Sequence, residues 1–138
     1  MYLLDTNVLA ELRQNKPHAS PAVLAWATSV SLKVQYTSPI CLMEIDIGIQ
    51  RLERRTPPEG QALRVWLHQL RKLFADRTLP IDDAVAQRCA ALHVPDKMPE
   101  HDALIAATAL AHGMTLVTRN VKDFQRTGVV LLNPWDAG

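Results

Sequence analysis

Two kinds of apolar segment alternate along this chain, and that alternation narrows the fold more than any other feature. Tyr2-Leu3-Leu4, Val34 to Thr37, Thr115 to Thr118 and Val129 to Leu132 are short β-favouring runs closed by polar or turn residues. Leu79-Pro80-Ile81 is a brief connector or further strand. Between them lie segments whose apolar residues recur at helical spacing, several with explicit start signals. Ser20-Pro21 and Ser38-Pro39 each place a capping serine before a proline at the first helical position, and Asp82 caps the stretch carrying Val85, Cys89 and Leu92. The alternation predicts an α/β fold with a parallel, roughly five-stranded sheet covered on both faces in three layers, α/β/α.

The stripe Ile40, Met43, Ile47, Leu52 extends one helix to Arg55, and Thr56-Pro57-Pro58-Glu59-Gly60 is expected to break the chain. Leu63, Trp66, Leu67, Leu70, Leu73 and Phe74 then set a wide apolar face on the next helix, giving a protruding helical hairpin. That apolar face favours a homodimer, or capture of a partner segment, against ordinary packing on the sheet.

At 138 residues, 1–138 is expected to be a single domain. Hydrophobic residues at 48% and charged residues at 21% exclude disorder and fibrous repeats. A net charge of +1 excludes the global field of a strongly basic nucleic-acid binder, so any such contact must use local patches. Cys41 and Cys89 lack metal-type spacing and read as buried thiols in a reducing compartment. The first residues reach Asp5 without a basic segment, and no apolar run is long enough for a bilayer; neither signal peptide nor membrane anchor is expected, and the location expected is cytoplasmic.

In open parallel sheets the ligand site lies beyond the carboxyl ends of the strands. That rule selects Asp5 after the first strand, Glu44 in the helix after the second, Asp102 at the start of the helix leading to the Thr115 strand, and Asn120 and Asp123 after that strand. Each acid also has a structural role open to it: Asp5 as a helix cap, Asp102 in a favourable first turn, Asp123 in a turn, Glu44 on the polar side of its helix. Carboxylates gathered at one edge repel unless a cation is shared. Mg²⁺ or Mn²⁺ suits oxygen donors, and can activate water and offset charge on a phosphodiester. The histidines His18, His68, His93, His101 and His112 show no zinc-type spacing. Arg51, Arg54, Arg55, Arg64, Arg71, Lys72 and Arg77 gather in the hairpin, either to meet RNA phosphates or to solvate a helix pair.

Four passages together resemble VapC-type toxins of the PIN-domain ribonuclease family: Leu3-Leu4-Asp5-Thr6-Asn7-Val8-Leu9, Glu44 in its helix, Asp102-Ala103-Leu104-Ile105-Ala106-Ala107-Thr108-Ala109, and Thr118-Arg119-Asn120-Val121-Lys122-Asp123-Phe124. The closing Leu132-Asn133-Pro134-Trp135 is similar to the tail of one branch. The resemblance implies a PIN fold and Mg²⁺- or Mn²⁺-dependent endoribonuclease activity as the toxin of a type II toxin-antitoxin pair. A VapB-type antitoxin is the implied partner, and RNA the substrate, with tRNA and rRNA as candidates. It matches Asp5, Glu44 and Asp102 to the family's acidic positions and leaves the fourth to Asn120 or Asp123. Thr6, Asn7 and Thr118 are expected as supporting polar groups, and Arg51, Arg54, Arg55 and Arg119 as RNA contacts.

Two other functions are open to the same residues. A binding-only module that has lost its chemistry is suggested by neutral Asn120. A phospho-acceptor domain also gathers acids and Mg²⁺, but it needs an aspartate after a mid-chain strand, where Ser38-Pro39 stands.

Overall fold

The computed structural model describes residues 1–136; the last two residues of the expected domain, 137–138, lie outside the described residues. Strands β1 (Tyr2–Leu4), β2 (Gln35–Tyr36), β3 (Thr115–Val117) and β4 (Leu131–Leu132) form one parallel sheet in the order β2-β1-β3-β4. Tyr2 stands opposite both Gln35 and Thr115, and Leu116 opposite Leu131. Leu3, Leu4, Leu116 and Val117 are all fully buried. Successive strand residues point to opposite faces, so burial of consecutive positions means the sheet is covered on both sides, which is why these segments read as continuous apolar runs.

The sheet has four strands rather than roughly five. The chain after Arg77 does reach the free edge of β2, where Thr37 N–H donates to Arg77 O at 3.0 Å and Leu79 N–H to Thr37 O at 2.9 Å. The pairing stops at that single bridge between Thr37 and Thr78. The next rung would need the N–H of residue 39, but Pro39 has none and begins a helix, so the fifth strand remains a stub.

The helices are α1 (Thr6–Glu11), α2 (Pro21–Ser29), α3 (Pro39–Arg55), α4 (Pro57–Leu73), α5 (Asp83–Leu92), α6 (Glu100–Ala111) and the short α7 (Val121–Phe124). The start signals act as expected. Ser20, Ser38 and Asp82 accept from Val23 N–H at 3.4 Å, Ile40 N–H at 3.0 Å and Val85 N–H at 3.0 Å. Gly113 ends the region of α6 with φ of 62°, a conformation that favours glycine.

The break between α3 and α4 is narrower than the composition suggests. Thr56 alone separates the two helices, because Pro57 and Pro58 occupy the first helical positions, where a missing N–H costs nothing. Gly60 lies inside α4 against α3, and a Cβ there would come within 2.6 Å of Glu53 Cγ. Leu67, Leu70 and Phe74 join Ile45, Ile49 and Leu9 in the main core, so the inner face of the hairpin packs on the domain. Its outer part is held by Arg64, which reaches Glu53 at 2.7 Å and Asp46 at 2.8 Å across the two helices.

Candidate active site

The chain leaves β1 for β2 on one side of the sheet and later enters β3 on the other, so strand order reverses between β1 and β3. A crevice is expected beyond the carboxyl ends of those two central strands. Asp5 follows Leu4 at the end of β1, and Thr118 follows Val117 at the end of β3. Asp5 N–H donates to Val117 O at 3.0 Å, which continues the sheet one step and brings the two side chains together.

Asp5 is only 5% exposed, and its two carboxylate oxygens are divided between tasks. Oδ1 accepts from Thr6 N–H at 2.8 Å and caps α1; Oδ2 accepts from the Thr118 hydroxyl at 2.8 Å. Thr118, fully buried, also accepts from Asn120 N–H at 3.1 Å and from the Asn7 amide at 3.4 Å. Asn7 Oδ1 in turn accepts from Arg119 N–H at 3.3 Å, so the turn after β3 is tied to the start of α1. The three residues expected as supporting polar groups thus form the hydrogen-bonded floor beneath Asp5.

Glu44, in the second turn of α3, arrives from the side. Its Oε1 accepts from the Thr6 hydroxyl at 2.5 Å, and its Oε2 lies 3.1 Å from Nδ1 of His101. Asp102 comes from the first turn of α6. Asp5, Thr6, Asn7, Glu44, Asp102 and Asn120 line one depression of about 310 Å³. Asp123 lies beyond Asn120 in an adjoining depression with Arg119 and Lys122.

The electrostatics record the crowding. Burial, joined by repulsion from Glu44 and Asp102, raises the Asp5 carboxyl to about 6 although Thr118 and Thr6 oppose the rise. Burial also pushes the Asp102 carboxyl upward, assisted by Asp123 and Glu44 and opposed by His101. Asp123 is therefore within electrostatic reach of the cluster while lining a different depression. Three carboxylates with an amide oxygen beside them are a hard-oxygen donor set suited to a divalent cation. Among the described residues, no three His, Cys, Asp or Glu side chains are close enough to form a closed cage. A few protein oxygens with water and substrate completing the shell is the usual manner of Mg²⁺ binding.

The basic residues separate. Arg51 lines a small depression with Glu44, Ile47 and His101, next to the acidic one. Arg54 and Arg55 sit further along α3, ~15 Å from Glu44 at 1.5 Å of rise per residue, and are not brought to the site. Arg119 borders Asn120, its guanidinium 5.1 Å from the centre of the Trp135 ring. The pairing of His101 with Glu44 was not visible in the sequence, where the one available signal was its position beside Asp102.

A parallel α/β domain with carboxylates pooled at its topological switch point defines the class of molecule. The PIN domain family model matches residues 2–130, and the chain belongs to that family. It is 32% identical over 145 residues to the VapC ribonuclease Y4jK of Sinorhizobium fredii, covering 99% of each chain. The crystal structure of FitAcB from Neisseria gonorrhoeae superposes with a TM-score of 0.86 at 34% identity, covering 99% of both chains. A toxin-antitoxin complex from Klebsiella pneumoniae matches at TM-score 0.69 and 27% identity over 97% of this chain and 98% of that one.

Proposed function

We propose that the chain is the toxin of a type II toxin-antitoxin pair, a metal-dependent endoribonuclease that hydrolyses RNA phosphodiester bonds in the cytoplasm. The observation that carries this is the convergence of Asp5, Glu44 and Asp102 from three separate elements on one depression at the switch point. The ribonuclease name of the Sinorhizobium relative and the toxin-antitoxin neighbour support the same conclusion.

Asp5, Glu44 and Asp102 would hold Mg²⁺ or Mn²⁺, with Asn120 or Asp123 on the fourth side. The ion, when bound, supplies an activated water and offsets charge on the scissile phosphate. Thr118 and Thr6 keep the Asp5 carboxylate in one orientation, and Thr6 with His101 does the same for Glu44. Asn120 is neutral and contributes an amide oxygen without adding to the repulsion. Arg119 and Arg51, on opposite sides of the acids, are placed to receive neighbouring RNA phosphates.

An apolar groove of about 210 Å³ between Leu9, Leu12, Leu32, Leu70, Leu73 and Phe74, partly on the hairpin's apolar face, supports a protein partner there, the VapB-type antitoxin or a second copy of the chain in a homodimer. The test is cleavage of labelled RNA by the protein purified free of antitoxin, with Mn²⁺ or Mg²⁺ and with chelator. Cleavage with metal that is lost in Asp102→Asn supports the assignment. RNA or antitoxin binding that persists in chelator, with no product under any condition, would establish the binding-only alternative.

A further inference from the structure

Beside the acidic depression lies a second of about 250 Å³, lined by Glu44, Ile47, Arg51 and His101. Glu44 lines both, so a strand lying across the first can continue into the second. Ile47 and Arg51 follow Glu44 at three and seven residues along α3 and share its face. Arg51 lines this depression and is exposed, and no ion pair with a described residue holds it.

His101 makes the depression more than a charged patch. A carboxylate only accepts hydrogen bonds, so the 3.1 Å contact with Glu44 Oε2 requires Nδ1 of His101 to donate. That leaves Nε2, the ring's other nitrogen, free to hydrogen-bond a group that can both donate and accept. The side chain is 44% exposed and lines the depression. A ring nitrogen held in place by the other nitrogen's bond, one residue from Asp102 and in contact with Glu44, suits a hydroxyl on the substrate, which can donate or accept. In RNA the hydroxyl that DNA lacks is the ribose 2′-OH.

We propose that His101 is a specificity-determining residue: Nε2 hydrogen-bonds the 2′-OH of a nucleotide adjoining the scissile phosphate, while Arg51 receives the next phosphate along the strand. This rests on the ribonuclease reading and adds to it the group by which RNA is told from DNA.

The test is a cycle between enzyme and substrate. Wild type, His101→Ala and His101→Gln are assayed with Mn²⁺ on a cleavable single-stranded RNA and on copies bearing one 2′-deoxynucleotide at each position flanking the cut. For the wild type, one deoxy position is expected to lower kcat/KM roughly three- to tenfold, the range of one net hydrogen bond. His101→Ala should lose that sensitivity at the same position, and His101→Gln, which keeps a hydrogen-bonding group, should retain part of it. If the His101→Ala loss is undiminished on the deoxy copy, the histidine acts only by holding Glu44, and the proposal is overturned. If the wild type is indifferent to every deoxy substitution, it is overturned without any variant. A wild type inactive on all RNA would overturn the ribonuclease reading itself, a different result from active cleavage with no coupling.

Discussion

Replacing Asp5 by Asn separates what the buried carboxylate costs the fold from what it does for the site. Burial and the neighbouring acids raise this carboxyl to about 6, from an ordinary aspartate value near 4. At 1.36 kcal/mol for each pH unit, keeping it ionised in the folded chain costs about 3 kcal/mol above pH 6. The sign follows from proton binding: the folded chain holds this proton more tightly than the unfolded one, so the contribution to stability is fully present below pH ~4 and is lost as pH rises through about 6.

Asn removes that loss but not without a penalty. It can still accept from Thr6 N–H, but its NH₂ faces a Thr118 oxygen that already accepts from Asn120 and Asn7. One impaired hydrogen bond costs about 1 kcal/mol. Asp5→Asn should therefore stabilise the metal-free protein by about 1 to 2 kcal/mol at pH 8, a rise in Tm of roughly 3 to 8 °C. Below pH ~4.5 the order should reverse, and cleavage should be lost throughout. Urea unfolding with chelator between pH ~3.5 and ~8 measures the first two. Added Mn²⁺ should raise the Tm of the wild type more than that of the variant. Equal pH slopes for the two proteins between pH 4.5 and 6.5, or a variant less stable than wild type at pH 8, would refute the reasoning.

Thr118→Val removes the donor to Asp5 and the acceptor for Asn120 N–H; a loss of about 2 kcal/mol in urea unfolding is expected. Gly60→Leu forces α4 away from Glu53 and disturbs its pair with Arg64; a loss of about 1 to 3 kcal/mol is expected by the same measurement. Asp123→Asn should weaken cleavage far less than Asp102→Asn, because Asp123 lies in the adjoining depression; rates at saturating Mn²⁺ compare them. Arg54→Ala with Arg55→Ala should leave kcat/KM on short RNA within about twofold of wild type, whereas Arg51→Ala should raise KM; steady-state kinetics decide.

Much of this protein was legible in local chemistry. A two-residue cap signal such as Ser38-Pro39 sets a helix start by itself, because the hydroxyl and the ring act within one turn. Continuous apolar runs marked the buried strands for an equally local reason, and the positions of Asp5, Glu44 and Asp102 at element ends followed from the parallel topology those runs imply. What lay beyond reach depended on which distant segments meet. The fifth strand failed on pairing, since only its partner at Thr37 reveals that the next N–H needed is the one Pro39 lacks as α3 begins. Arg51 and Arg54 look alike in sequence, and only the direction of α3 brings the first to the acids and leaves the second outside. His101 beside Asp102 could have faced solvent; its bond to Glu44, 57 residues away, exists because α3 and α6 pack together. The sequence determined which groups could take part in the chemistry. The packing of α1, α3 and α6 at the ends of β1 and β3 decided which of them share a site, because side-chain contacts there span a few ångströms while the chain between them spans dozens of residues.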